Sequence, residues 1–369
     1  MEDVKRINML ELAKYQAGLW KNPQLRFLFF ELTDCCNLGC RHCGSNCSSG
    51  NSTFLETEQV FEVLSRVAEE YDPAKIMICL TGGEPMLHAR VFEVIKKAHQ
   101  HGFSVGMTSN GTLIDYEAAR KLVANGLDTI SISIDGIGDV HDSFRGSPGC
   151  YDKALAGIEA LKRAGIEPQA MTVVHKGNLD QLEDLYKLFI DMDLYSWRLT
   201  NVDPIGRAAI DQSLLLNHAE YTEMLDFIRS KRFDPDNEME VTYGCAHFLT
   251  YEYERTVRDA YFQCGAGTQE ASILANGNIG ACLDIVKRPD LVQGNIYEDD
   301  FVDVWEHRYG VFRKNRAERS SVCRECEYKE VCIGDSAHTW DYERDEPMYC
   351  YAKGLYETES KEKPLVYIR

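Results

Sequence analysis

Cys36, Cys40 and Cys43 stand in the stretch ELTDCCNLGCRHCGSNCSS (31–49), which holds five of the chain's fourteen cysteines. At C-x3-C-x2-C spacing, three thiolates can bind three corners of a cubane [4Fe–4S] cluster and leave the fourth iron open. An electron-transfer cluster takes four thiolates instead. The open corner is the chemical point, because a substrate or cofactor can ligate iron there. Cys35 and Cys47 compete for a role. Cys47 as fourth ligand would close the cluster, and four of the five thiols would also suit zinc. Adjacent side chains point different ways, so Cys35 reads as a packing residue.

A second set returns near the carboxyl end: Cys264, Cys282, Cys323, Cys326, Cys332 and Cys350. Asn276-Gly277 reads as a hairpin turn that brings Cys264 and Cys282 together. Two cysteine pairs would also make a zinc ribbon. Cys79, Cys150 and Cys245 match no spacing and read as buried small apolar residues.

The elements that must position these thiols are legible in the pattern. Apolar runs at 26–33, 75–81, 103–109, 128–135, 168–174 and 196–202 read as strands. Helical patterns lie between them at 57–71, 90–101, 115–125, 152–164 and 179–191. Gly102, Gly126 and Gly165 sit just past three of these, where a left-handed cap wants glycine. Such alternation predicts a parallel sheet with helices outside it. Six strands are too few to close an eight-stranded barrel, which leaves a partial barrel or an open doubly wound sheet. After DPIGRAA (203–209) the pattern changes: 213–233 looks helical, 234–260 charged and irregular. The expected organisation is a helical extension (1–25), a barrel (26–205), a helical or irregular bridge (206–260) and a metal-held domain (261–369).

The 369 residues carry a net charge of −19. That balance argues against nucleic acid, whose affinity comes largely from Lys and Arg. No apolar run approaches the roughly 20 residues of a membrane span, and the interleaved charges of MEDVKRINMLELAK do not form a secretory signal. Fourteen cysteines suit a reducing compartment, so a cytoplasmic protein is expected.

CNLGCRHC after a strand resembles the radical S-adenosylmethionine (SAM) enzymes. GGEP (82–85) follows the second strand, as that family's SAM-amino-group motif does. TSNG (108–111) ends the third strand, SISIDG (131–136) forms the fourth and HDSFRG (141–146) follows it. Singly these are a turn, a helix cap or a surface arginine; the ordered set over about 26–205 is what resembles the family. The fold implied is α/β: a partial (β/α)6 TIM-like barrel with a C-terminal cysteine-rich iron–sulfur (SPASM-like) domain. By resemblance, Cys36, Cys40 and Cys43 hold a [4Fe–4S] cluster whose open iron SAM chelates. Gly82 and Gly83 let backbone approach the methionine moiety, with Pro85 completing the motif. Glu84 accepts from the SAM amino group and Arg145 pairs with its carboxylate. Ser109 and Ser133 contact methionine or ribose at strand ends. His42 stands where the family often has an aromatic residue. The chemistry implied is one-electron cleavage of SAM to a 5′-deoxyadenosyl radical, which takes hydrogen from substrate.

The C-terminal cysteines are similar to the SPASM extension of peptide-modifying relatives, which houses auxiliary iron–sulfur clusters. The usual C-x2-C-x5-C-x3-C ends here at Ser336. The resemblance implies one full set (Cys323, Cys326, Cys332, Cys350) and a second site left with Cys264 and Cys282, which Cys245, Ser336, solvent or substrate would complete. A single cluster on Cys264, Cys282, Cys323 and Cys326 is the shorter alternative. One or two auxiliary clusters are therefore expected. The implied activity is post-translational modification of a ribosomal peptide or protein by crosslinking, thioether formation, oxidation or epimerisation. A flavodoxin- or ferredoxin-type reductase would serve it. With about 25 residues before the first strand, too few for the precursor-recognition domain of some relatives, a peptide would need a separate recognition protein or would bind the acidic surface directly. The alternatives are oxidation or decarboxylation of a small molecule such as a tetrapyrrole, and a non-enzymatic iron–sulfur or zinc protein.

Overall fold

In this computed structural model, residues 2–244 and 247–356 are described. Helix α1 (Glu2–Leu19) precedes a repeated strand–helix pattern. The strands are β1 (Phe27–Glu31), β2 (Met77–Thr81), β3 (Ser104–Ser109), β4 (Thr129–Ser133), β5 (Pro168–Val174) and β6 (Ser196–Asn201). The helices between them are α2 (Thr57–Glu70), α3 (Val91–Gln100), α4 (Tyr116–Ala124), α5 (Asp139–Arg145), α6 (Cys150–Ala164) and α7 (Leu182–Asp191). All six expected strands form, and β1 to β6 pair in parallel in chain order.

The helices pack because their apolar residues recur on one face. Val60, Val63, Leu64 and Val67 of α2 and Val91, Val94, Ile95 and Ala98 of α3 are buried at i, i+3, i+4, i+7. They cover the sheet face presented by Leu28, Phe30, Ile78, Leu80 and Val105. Gly102, Gly126 and Gly165 take left-handed φ of 88°, 93° and 90°, as the capping pattern requires.

The sheet is wider than six strands. After α8 (His218–Phe233), Glu240–Tyr243 forms β7 and pairs parallel with β6, within a stretch whose charges read as irregular. Next come β8 (Glu270–Ile273), β9 (Asn278–Gly280) and β10 (Gly294–Asn295). The expected hairpin is present: β8 and β9 are antiparallel, with Gly277 at φ 84° in the turn. Strand β8 lies parallel to β1 on the side away from β2, with Phe27 opposite Glu270. The order is β10-β9-β8-β1-β2-β3-β4-β5-β6-β7, an open, mostly parallel sheet. The cysteine-rich half therefore continues the barrel's sheet. Among the described residues no helix is long and apolar enough to cross a membrane.

Candidate active site

The loop after β1 lies at the carboxyl ends of the parallel strands, and GGEP, TSNG and HDSFRG are each bonded to it. Gly83 N donates to Thr33 O (2.7 Å) and Glu84 N to Cys35 O (2.9 Å). Gly39 N donates to Arg145 O (3.0 Å) and Arg41 N to Phe144 O (2.9 Å), which ties the loop to the end of α5. The Arg207 side chain donates to Cys40 O (2.6 Å) and Cys47 O (2.9 Å), and its backbone N to Cys43 O (3.1 Å). Gly206 makes that approach possible, since a Cβ there would meet Cys43 O at 2.2 Å. DPIGRAA thus clamps the loop, a role sequence reasoning missed; its signal was a Gly-Arg pair directly after a strand end.

Cys36, Cys40, Cys47 and Cys150 form one buried cluster with Cys43 against it. Burial pushes the Cys36 thiol up to about 12, and burial raises Cys40 as well. Their thiolates form when a cation takes the proton's place, which is what a metal cluster provides. The donor set thus fits a cluster on Cys36, Cys40 and Cys43. Cys47 answers the question of the spare thiols: its side chain hydrogen-bonds Cys43, lowering that thiol's pKa and raising its own. Its backbone N also faces Cys43 Sγ at 3.4 Å. Cys35 offers its carbonyl to the GGEP segment, and Cys150 donates from Sγ to Asp142 (3.3 Å).

The glycines of GGEP make a close approach within the chain. Gly82 has φ 147°, and a Cβ there would lie 2.5 Å from Thr33 O. A Cβ on Gly83 would lie 2.1 Å from Cys35 O and 3.0 Å from Cys36 Cβ. What presses on them is the cysteine loop itself. Pro85 is buried and opens a one-turn helix capped by the Glu84 carboxylate. That carboxylate is wholly buried and accepts from Ser109 Oγ (2.8 Å), Asn110 N (2.8 Å) and Met86 N (3.1 Å). A carboxylate offers about four acceptor positions, so one position is left for an ammonium. Burial raises its pKa. Ser133 is buried at the end of β4.

Arg145 is buried too. Its Nε donates to Asp135 Oδ2 at 2.5 Å, and Nη1 lies 3.6 Å from Cys40 Sγ. Burial works against the Asp135 charge, but Arg145 together with the neighbouring histidines and the Val173 N–H outweighs it, and the carboxyl titrates below its usual range. Asp135, which reads in sequence as a turn residue, is thus the counter-ion of Arg145.

His42 stacks on Phe144 (centroids 4.5 Å), which stacks on His175 (3.9 Å). Burial lowers His42 to about 3 and His175 to about 4. Both stay neutral in the fold while the unfolded chain takes up protons below about 6.5, so their contribution is lost as pH falls through that window. Each is expected to cost up to about 1.4 kcal/mol per pH unit below its ordinary pKa. Relative to wild type, His42→Phe should therefore gain urea resistance between about pH 7 and about pH 5. A parallel fall of both proteins would exclude this.

In the C-terminal half, Cys323, Cys326, Cys332 and Cys350 line one mainly apolar cavity beside Asp335. Burial raises Cys332 and pushes Cys350 up to about 12. Four partly buried thiols on one cavity fit an iron–sulfur cluster. The other pair is differently placed: Cys264 Sγ accepts from Ala337 N (3.4 Å) and from Arg316, while Cys282 hydrogen-bonds Glu270. With Ser336 buried nearby, these described residues do not make a four-thiolate set; Cys245 lies outside the described residues.

A second buried network went unnoticed in the sequence. His247 Nε2 lies 2.8 Å from Asp203 Oδ1, and His338 Nε2 lies 2.9 Å from Asp203 Oδ2. His247 Nδ1 lies 3.1 Å from Asp335 Oδ2. Burial opposes the charge on His247, but Asp203 and Asp335 hold it up at about 10.

An open parallel sheet whose three-cysteine loop is locked to GGE, HDxxR and GR segments defines a radical SAM catalytic core. The radical SAM superfamily profile matches residues 30–189, and that of the SPASM iron–sulfur cluster-binding domain matches 264–327. The chain belongs to the radical SAM superfamily, among its SPASM-bearing members. It is a radical SAM enzyme, with a [4Fe–4S] cluster and SAM as cofactors and further iron–sulfur binding in the SPASM domain. It is 31% identical over 353 residues to the AdoMet-dependent heme synthase of Methanosarcina barkeri, covering 89% of this chain and 97% of that one. To mycofactocin maturase MftC of Mycolicibacterium smegmatis it is 28% identical over 313 residues, covering 83% and 76%. The structure of anSMEcpe with bound AdoMet superposes with TM-score 0.71 at 20% identity, covering 89% and 95%. That likeness is one of fold.

Proposed function

We propose that the enzyme abstracts hydrogen from a tetrapyrrole-type small molecule and oxidises or decarboxylates it. The carrying observation is the end-to-end similarity to proteins named heme synthase, 30–31% identical over 93–97% of the length of two of them. This reverses the order expected from the SPASM resemblance, which favoured a peptide. Peptide modification is kept as the second reading by the similarity to MftC.

When bound, the cluster and SAM supply one-electron reductive chemistry that ends in hydrogen-atom abstraction. The chain's residues hold that chemistry in place. Cys36, Cys40 and Cys43 would ligate the cluster, and Arg207 and Gly83 fix their loop. Glu84, oriented by Ser109 and Asn110 N, would take the SAM ammonium on its remaining acceptor position. Ser133 is buried at the carboxyl end of β4, which pairs with the strand carrying Ser109. Arg145, fixed by Asp135, would face the SAM carboxylate with the guanidinium nitrogens its ion pair leaves unused. Cys323, Cys326, Cys332 and Cys350 would hold an auxiliary cluster. Cys264 and Cys282 would contribute to a further metal site, its ligand set completed by Cys245, Ser336, solvent or substrate.

The test is anaerobic incubation of reduced enzyme with SAM and an iron porphyrin bearing propionate side chains, read by mass spectrometry. Loss of carbon dioxide and two hydrogens per side chain, with 5′-deoxyadenosine formed alongside, is expected. An unchanged porphyrin beside a candidate peptide that loses hydrogen would establish the second reading instead.

A further inference from the structure

Asp203, His247 and His338 come from three separate segments, yet their ligand atoms lie within 4.8 Å of one another. We propose that these three side chains form a binding site for a single divalent transition-metal ion of the zinc or iron(II) class, separate from the iron–sulfur sites. Two imidazoles and one carboxylate with open positions is a recurrent ligand set for such ions.

The geometry suits an ion. Both histidines present Nε2 to the same carboxylate, at 2.8 and 2.9 Å. Metal–ligand bonds of about 2.0–2.2 Å at tetrahedral angles put neighbouring donors about 3.3–3.6 Å apart, so the two hydrogen-bonded contacts would open by about half an ångström to admit the ion. The ion would displace the protons now shared between these atoms, and its two positive charges would balance the carboxylates of Asp203 and Asp335.

The surroundings are those of a supported metal site. His247 uses its other nitrogen on Asp335, the carboxylate–histidine–metal arrangement that fixes ring orientation. Asp335 is itself held by Phe248 N (2.9 Å). It reaches there through a left-handed stretch, with Ile333, Gly334 and Asp335 at φ 24°, 99° and 54°. On the far side Asn201 Nδ2 donates to Asp203 Oδ1 (2.7 Å), and Tyr221 and Tyr243 both donate to Asn201 Oδ1. His247 is closed off, while Asp203 and His338 keep 11% and 12% of their side-chain surface open. The open positions on the ion would face that side, toward Asp284 and Glu270, both within electrostatic reach of His338.

The test loads cluster-bearing enzyme with Zn2+ by anaerobic dialysis, then counts zinc and iron per chain and records the zinc X-ray absorption edge. One retained zinc with nitrogen and oxygen neighbours, including imidazole, is expected. His338→Gln and Asp203→Asn should lose it with iron content unchanged. Asp335→Asn should weaken zinc binding about 10–100-fold. No retained zinc, or zinc with sulfur neighbours that persists in the variants, overturns the proposal. The wild-type spectrum decides the matter by itself should a variant fail to fold.

Discussion

Gly83→Ala is expected to abolish assembly of the cluster on Cys36, Cys40 and Cys43 and to reduce SAM cleavage by at least ~10²-fold. The added methyl would sit 2.1 Å from Cys35 O and 2.5 Å from its carbonyl carbon, both of them backbone. No rotamer change relieves such an overlap, so the loop must move by an ångström or more. That movement breaks the Glu84 N to Cys35 O bond and carries Cys36 with it. Gly39, inside the C-x3-C spacing, behaves oppositely. Its nearest neighbour to an added Cβ is Gly146 O at 3.9 Å, and its φ is not left-handed. Gly39→Ala should therefore keep its iron. Iron and sulfide analysis with electron paramagnetic resonance of the reduced protein distinguishes them; equal iron in both variants would refute this account.

The second large effect concerns Asp135. Replacing one partner of a buried ion pair typically costs about 3–5 kcal/mol, because the other charge is left without compensation. Asp135→Asn leaves the Arg145 guanidinium facing an amide, and Asp135 and Arg145 are 0% and 7% exposed. Removing both charges with Asp135→Leu and Arg145→Met should recover most of that stability. It should not recover SAM affinity, since the Arg145 guanidinium reaches Cys40 Sγ at 3.6 Å and is the cation expected to face the SAM carboxylate. Chemical denaturation of the single and double variants, with equilibrium dialysis against SAM, separates the two roles. A double variant that binds SAM as wild type does would show the pair to be structural only.

Much of this was readable before any coordinates. Strands β1 to β6 announce themselves because buried parallel strands are short apolar runs and their helices repeat every three to four residues. The cysteines, GGEP and HDSFRG are readable because their chemistry sits in short contiguous stretches. Strand β7 was missed because EVTY (240–243) is brief and lies among charges, its pairing supplied by β6. The Asp203–His247–His338 group was missed because separations of 44 and 91 residues leave no local pattern. The contacts that Gly83 and Arg145 make within the chain were not legible for a related reason: a motif names a residue, but only the packed loop shows what it presses against.

Strand β1 is hydrogen-bonded on one flank by β2 and on the other by β8. The chain must extend past residue 270 before its first strand gains a neighbour on both sides, a non-local pairing that forms late in synthesis. Until then, β1 presents a bare edge able to recruit foreign strands. The two halves thus share one hydrogen-bonded sheet through the strand that leads into the three-cysteine loop.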